Sequence, residues 1–167
     1  MIRSWFDWVD TFPTSIALRE SSYGYTILLT SHVVTMCLFA GLVIMMDLRL
    51  AGLGNFRTPF TQLQKRLFPW QATGLTFNAI SGTLLFYSQP LRYYGKVLFW
   101  TKIALLIVAG LNALAFHVTT YKSVADWDAN PAITPKAARW AGIASLALWA
   151  GVIIFGRLTA YNWLTYN

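Results

Sequence analysis

Four long apolar stretches constrain this chain more than any other feature. They cover residues 23–47, 67–88, 97–120 and 138–160, and each is long enough to cross the hydrocarbon core of a bilayer, which takes about 20 helical residues. Charged residues make up only 11% of the 167 positions, which disfavours a soluble globular enzyme. The stretches lack the alternation of barrel strands, and lipid requires paired backbone groups, so they predict helices. The sequence thus predicts an all-α fold, a single-domain four-helix transmembrane bundle.

The segment before the first span predicts a short helix that lies in the membrane interface. Its apolar residues recur at helical spacing beside two aspartates. They are Trp5, Phe6, Trp8, Val9 and Phe12, next to Asp7 and Asp10. The same helix can instead serve as a docking element for a partner.

The basic residues predict the orientation of the bundle, because Lys and Arg accumulate on the cytoplasmic side of a membrane. The first and third loops with their flanks carry Arg49, Arg57, Lys65, Arg66, Lys122, Lys136 and Arg139. The opposite side carries Arg3, Arg19, Arg92 and Lys96, with Lys102 and Arg157 near helix ends. Both termini are therefore predicted to be periplasmic in a bacterial inner membrane. The net charge of +7 forms no continuous patch, so nucleic-acid binding is not predicted.

The only two histidines, His32 and His117, lie inside the first and third predicted spans. An ionisable residue at membrane depth is a candidate functional residue, and imidazole inside a helical bundle is a natural haem ligand. His32 shares a helix face with Met36, and His117 shares one with Gly110, which leaves space beside the ring. The alternative is that both rings only bond to neighbouring helices or to interfacial water. The pair favours the cofactor interpretation, with both histidines as ligands of haem iron.

The predicted depths of the two histidines argue against a single haem held by both rings. The two spans run in the same direction, and His32 lies about three residues before the middle of its span whereas His117 lies about eight after the middle of its own. At 1.5 Å per residue the rings are about 17 Å apart in depth. We therefore expect two separate sites, with one or two haems b per chain. Met36 is the nearest sulfur ligand to His32.

Three basic residues near the His32 end are candidate partners for haem propionates, which need cationic or hydrogen-bonding groups. They are Lys102, Arg157 and Arg19. Each can instead extend its charge to the interface and bind no cofactor. On the second span, Gln71 and Asn78 are interpreted as packing residues, with hydrogen bonds to a cofactor or a quinone carbonyl as the alternative. Asn112 is expected to bond to a neighbouring helix.

Several chemistries lack their usual residues. The single cysteine, Cys37, allows no intrachain disulfide, and the chain has neither a C-x-x-C-H site for covalent haem nor Cys/His zinc spacing. It also has no phosphate-binding glycine loop, no nucleophile elbow and no pair of carboxylates within a span. Hydrolysis and ion-coupled transport are therefore not predicted.

Four motifs carry a resemblance to a known family. They are S-H-V-V at residues 31–34, D-L-R-L-A-G at 47–52, A-G-L-N-A-L-A-F-H at 109–117 and G-R-L-T-A-Y at 156–161. Over nearly its whole length the chain resembles small uncharacterised bacterial inner-membrane proteins that pair a first-helix histidine with an N-A-x-x-F-H-like end of the third helix. This resemblance implies the fold and topology and no activity.

The architecture is more loosely similar to cytochrome b-type subunits, which anchor dehydrogenases and exchange electrons with quinone. This chain departs from their pattern, because two bis-histidine haems need four histidines and it has two. The similarity therefore implies a class of function and leaves the ligand set open.

Together these observations predict a haem b-binding membrane subunit that carries electrons between a periplasmic partner and quinone or another haem. The partner is expected to be a c-type cytochrome or a dehydrogenase, within a larger redox complex or a homo-oligomer surrounded by membrane lipid. An electron-transfer subunit is favoured over an independent enzyme. Two alternatives remain open. One is a cofactor-free assembly or scaffold subunit, and the other is a metal-handling protein or permease that uses His32, Met36 and Cys37.

Overall fold

All regular structure in the described part of the chain is helical. The computed structural model describes residues 2–54, 58–128 and 134–161. The helices are α1 (Ile2–Asp10), α2 (Pro13–Glu20), α3 (Ser22–Ala51), α4 (Phe60–Ser88), α5 (Pro90–Tyr94), α6 (Val97–Val118), α7 (Val124–Trp127) and α8 (Lys136–Leu158). A short 3₁₀ helix, Thr120–Ser123, joins α6 to α7. The all-α prediction is confirmed.

Three helical segments are long and apolar enough to cross a membrane. They are Ser22–Ala51, Val97–Trp127 and Lys136–Leu158, and they correspond to three of the four predicted spans. The helix α4 is 29 residues long, but its glutamine, asparagine, threonine and proline residues lower its hydropathy below that of the other three. These helices are consistent with a multi-pass membrane protein, and the crossing of the membrane by α4 stays a prediction.

The helices extend beyond their predicted ends on one side of the bundle. The helix α3 continues to Ala51 and ends where Gly52 adopts a left-handed conformation, with φ of 76°. The helix α4 begins at Phe60, not at residue 67. Lys65 and Arg66 have the composition of a loop, but both are exposed side chains near the start of α4. A charged first turn therefore concealed the beginning of this helix in the sequence.

The four long helices form an open row. The helix α3 packs against α4 on one side and against α8 on the other, and α8 packs in turn against α6. The backbones of α4 and α6, at the two ends of this row, stay apart along most of their length, and the two helices touch through aromatic side chains near their ends, where Phe60 packs on Phe116 and Phe86 packs on Phe99. The space between them is therefore a cleft that all four helices line.

The helix α8 approaches α3 closely at Gly142. A Cβ atom added there would lie 2.8 Å from the Asp47 carbonyl oxygen and 3.0 Å from the Ala51 nitrogen, and neither backbone atom can move aside easily. We expect Gly142→Ala to destabilise the protein by about 1–3 kcal/mol, because α8 must move away from α3. The measurement is thermal unfolding in detergent.

The control for this variant is Gly41→Ala, because a Cβ at Gly41 on α3 meets no atom within 4 Å. Both variants gain the same intrinsic helix propensity. The difference between their unfolding midpoints therefore reports the helix contact at Gly142 alone. Equal midpoints would contradict this contact.

The helix α1 packs across the end of the bundle where α3 begins. Phe6 and Val9 are buried, and the Phe6 ring packs on Phe86 and Tyr94, with centroids 5.7 and 4.8 Å apart. Trp8 is exposed on the same helix. The helix α1 thus occupies the segment for which the sequence predicts a short helix, and its location in the membrane interface stays a prediction.

Candidate functional site

A cavity of about 650 Å³ occupies the cleft between α4 and α6. Its volume falls within the range of about 300–1,000 Å³ that is typical of ligand sites. The lining comes from α3, α4, α6 and α8 and is mostly apolar. His32 lines it from α3, and His117 lines it from α6. The fold therefore brings both predicted ligands to one cavity.

The His32 ring is held through one of its nitrogens. Its Nδ1 lies 2.8 Å from the hydroxyl oxygen of Ser81 on α4. When that hydroxyl donates its one proton to the Phe77 carbonyl, which lies 2.7 Å away, it accepts a hydrogen bond from His32 Nδ1–H. In this tautomer Nε2 is unprotonated, and it makes no hydrogen bond to any described residue. A histidine that is held through one nitrogen while the other is free has the usual arrangement of a metal ligand.

The His117 ring is also held through Nδ1, but its second nitrogen is occupied. Nδ1–H donates to the Ala113 carbonyl, one turn earlier on α6, at 2.9 Å. Nε2 accepts from the side-chain amide of Gln64 on α4, at 3.1 Å. Among the described residues, this is the only side-chain hydrogen bond that joins α4 to α6. A metal ion can bind Nε2 only after the Gln64 amide moves away.

The two histidines lie far apart along the bundle axis. Their partners on α4, Ser81 and Gln64, are 17 positions apart in one helix, which corresponds to about 25 Å. One iron cannot be ligated by both rings at this separation, so two distinct sites are required. The separation of about 17 Å that the sequence predicts is too short. That prediction assumed that the middles of the two spans lie at the same depth along the bundle axis, and they do not. Phe116, next to His117, packs in the same buried cluster as Leu50 in the last turn of α3.

Three other predicted residues line the same cavity. Met36 follows His32 by one turn of α3. Gly110 provides the expected space, because a Cβ added there meets no atom within 4 Å. The Lys102 side chain lines the same cavity as His32 and lies against Gly156 on α8. No ion pair among the described residues involves Lys102.

The other two predicted cations have partners outside the cavity. Arg19 on α2 forms an ion pair with Asp10, with 2.7 Å between Nη1 and the carboxylate oxygen. The guanidinium of Arg157 lies over the Tyr161 ring, 5.7 Å from its centroid. Neither arginine lines the cavity. Lys102 is therefore the predicted cation that the fold brings to His32.

Two polar residues of the spans connect neighbouring helices. Gln71 on α4 donates to the Leu42 carbonyl of α3 at 3.1 Å, which agrees with its interpretation as a packing residue. Asn112 on α6 donates to the Ala141 carbonyl of α8 at 3.0 Å, as expected from its direction on the helix. Both side chains also contribute to the cavity lining.

Three oxygen atoms of cavity-lining side chains have no hydrogen-bond partner among the residues that the structure describes. They are Asp47 Oδ2, Gln64 Oε1 and Asn78 Oδ1. Asp47 is the residue that sequence reasoning missed, because it lies at the end of the predicted span, whereas α3 continues for another turn and leaves it only 7% exposed. A lone aspartate next to an apolar run is the signal that could have identified it. Buried acceptors without donors are unfavourable, so they mark positions that a ligand or water completes.

The metal-handling alternative finds little support in the described residues. They contain no group of three or more His, Cys, Asp or Glu side chains placed to hold a metal ion. Cys37 is exposed and does not line the cavity. Five residues after His32, it lies on a different face of α3. His32, Met36 and Cys37 therefore do not face one common site.

The chain matches no family model, no curated protein and no solved structure. The residues and geometry of the cavity therefore carry the functional argument.

Proposed function

We propose that this protein is a haem b-binding membrane subunit that carries electrons between a periplasmic redox partner and quinone or another haem. The observation that carries the proposal is the state of the His32 ring. Ser81 fixes its orientation through Nδ1, and Nε2 is left as an unpartnered lone pair in a cavity of ligand size. Second-sphere hydrogen bonds of this kind are what hold a histidine ready for a metal.

The surroundings of His32 fit a haem. The lining is mostly apolar, as a porphyrin requires, and Lys102 supplies a cation for a propionate. Met36 lies one turn away and would be the nearest thioether sulfur to the iron. A bound haem b would supply reversible one-electron transfer. Ser81 would orient the imidazole, and Lys102 would balance the charge of a propionate.

The His117 end suits a quinone better than a second haem. A second iron at His117 requires the loss of the hydrogen bond from Gln64 to Nε2. A quinone requires no such loss, because it binds through hydrogen bonds. The cleft between α4 and α6 is the route by which a lipid-soluble molecule reaches this end from the bilayer. His117 remains the candidate ligand if a second haem is present.

The proposed setting is the bacterial inner membrane. The helices α3, α4, α6 and α8 cross it, α1 lies in the interface, and both termini are periplasmic. In this orientation His32 is nearer the periplasm, where a c-type cytochrome or a dehydrogenase exchanges electrons with the haem. A larger redox complex or a homo-oligomer is the expected assembly.

The test is a visible spectrum of the detergent-purified protein, recorded as the dithionite-reduced minus the air-oxidised state. Haem is quantified as the pyridine haemochrome. We expect a Soret band and about one haem b per chain, bound at the His32 end. Two haems per chain would place the second at His117. Protein without haem, purified from cells supplied with a haem precursor, would contradict the proposal.

The two alternatives predict different outcomes of the same preparation. A cofactor-free scaffold subunit has no Soret absorbance and co-purifies with a partner complex. A metal-handling protein has no Soret absorbance and carries bound copper or zinc, which elemental analysis detects. Either result replaces the redox proposal.

A further inference from the structure

The unpartnered oxygens of the cavity fall into two groups along the bundle axis. Asn78 lies one turn from Ser81 on α4 and therefore belongs to the His32 end. Gln64 belongs to the His117 end. Asp47 belongs to that end too, because it precedes Leu50 by three residues, and Leu50 packs in one cluster with Phe116. Two side chains with an unpartnered acceptor atom thus line the same end of the cavity as His117.

The donor and acceptor atoms of Gln64 are fixed by its partner. His117 Nδ1–H donates to a backbone carbonyl, so Nε2 carries a lone pair and must face the NH₂ group of the Gln64 amide. The amide oxygen of Gln64 then faces away from the histidine, where it has no partner. The Asp47 carboxylate offers only acceptor atoms when it is ionised. The Ser145 hydroxyl on α8 lies within hydrogen-bonding reach of this carboxylate, and Asp47 Oδ2 and Gln64 Oε1 remain as acceptors for donors that a ligand brings.

We propose that the His117 end of the cavity binds the hydroxyl head group of a lipid-soluble quinol, with Asp47 and Gln64 as hydrogen-bond acceptors. This inference rests on the proposed function, because it specifies which form of the quinone the cavity prefers. The two hydroxyl groups of a quinol donate hydrogen bonds, whereas the two carbonyl groups of a quinone only accept them. The unpartnered acceptors therefore favour the reduced form.

The shape of the site suits such a molecule. The backbones of α4 and α6 stay apart between their ends, where aromatic rings of the two helices pack together. Between these ends, Phe68 and Leu75 line the cavity from α4 and are 57% and 50% exposed. They form an apolar rim along which an isoprenoid tail can extend.

The experiment is calorimetric titration of the purified protein with duroquinol and with duroquinone under anaerobic conditions. We expect the wild-type protein to bind duroquinol roughly tenfold more tightly or better, because its hydroxyl groups donate to buried acceptors that a quinone leaves unpaired, and an unpaired buried acceptor is costly. Asp47→Asn is expected to lose most of this preference, since its amide offers a donor to the quinone carbonyl. Asp126→Asn is the matched control, because Asp126 is an exposed carboxylate on α7.

A second pair of variants tests the location of the site. Gly110 lines the cavity and lies two residues before Asn112 on α6. Asn112 donates a hydrogen bond to the carbonyl of Ala141 on α8. The next residue of α8, Gly142, lies against the backbone of Asp47. Gly110→Phe is expected to weaken binding of duroquinol and duroquinone by roughly tenfold or more, because the ring fills the cavity. Gly41→Phe places the same ring on the outer surface of α3 and is expected to leave binding unchanged.

Equal affinities for the two redox forms in the wild-type protein would overturn the inference, and so would an unchanged preference in Asp47→Asn. If Asp47→Asn does not fold, the inference is still tested by the preference of the wild-type protein for duroquinol. It is also tested by the comparison of Gly110→Phe with Gly41→Phe. Calorimetry does not depend on haem. Haem-free protein that prefers duroquinol would retain this inference and contradict the proposed function, whereas haem-containing protein without the preference would contradict this inference alone.

Discussion

Replacement of His32 by alanine is expected to remove most of the haem b from the purified protein, whereas His117→Ala is expected to retain it. The physical reason is the distance of about 25 Å between the two rings, since a haem bound at one of them cannot use the other. Nε2 of His32 is free, and Nε2 of His117 is occupied by Gln64. The measurement is the pyridine haemochrome content per chain, which should fall roughly tenfold or more in His32→Ala.

A milder substitution tests the same site without removing the ligand. Ser81→Ala leaves the imidazole in place but removes the acceptor for Nδ1–H. We expect weaker haem retention by about 10- to 100-fold in affinity, because the partner of a ligating histidine fixes its tautomer and orientation. Loss of haem in His117→Ala with retention in His32→Ala would assign the haem to the opposite end. Loss in both variants would contradict the separation of the two sites.

The sequence predicts the faces of individual helices well, because helical spacing determines which residues share a face. Helical spacing places Met36 on the face of His32 and Gly110 on the face of His117, and these residues line the cavity from α3 and α6. The sequence predicts the ends of helices less well. The start of α4 carries Lys65 and Arg66, which resemble a loop in composition, and this concealed the first turns of the helix that carry Gln64.

The partners of the two histidines could not be predicted, because they depend on how α3, α4 and α6 are shifted relative to one another. Ser81 meets His32 and Gln64 meets His117 only in this register. The cavity itself is a tertiary property, since it exists because the backbones of α4 and α6 stay apart along most of their length. Asp47 became a site residue for the same reason, as its burial depends on close packing against α8 at Gly142.

The register of α3 and α4 near His117 depends on Arg49, which is fully buried. Its Nε donates to the Thr58 carbonyl at 2.9 Å, just before α4 begins, and its Nη2 donates to the Asp128 carbonyl at 3.0 Å. The Asp128 carboxylate in turn accepts from the backbone nitrogen and the hydroxyl of Thr61 on α4. This network joins the end of α3 to the start of α4 and to the segment after α7.

Arg49→Gln is expected to lower the free energy of unfolding by about 2 kcal/mol. Each hydrogen bond from a charged donor contributes about 1.5–3 kcal/mol, the shorter amide reaches neither carbonyl, and the loss of a buried unpartnered Nη1 offsets part of this effect. The matched control is Arg66→Gln, since Arg66 on α4 is exposed and the charge change is the same. Chemical denaturation in detergent measures both variants. A destabilised Arg49→Gln protein should also bind duroquinol less tightly, because the network positions Asp47 and Gln64.

The opposing contribution is the unpartnered Nη1 of Arg49, a buried donor that makes no hydrogen bond. Its burial is unfavourable by about 1–3 kcal/mol, and Arg49→Gln removes this penalty together with the two hydrogen bonds. The two bonds outweigh it because both acceptors are backbone carbonyls of ordered segments that the side chain holds in place. An Arg49→Gln protein as stable as Arg66→Gln would show that the burial penalty cancels the bonds, and the register of α3 and α4 would then depend on the apolar cluster of Leu50, Phe60 and Phe116 alone.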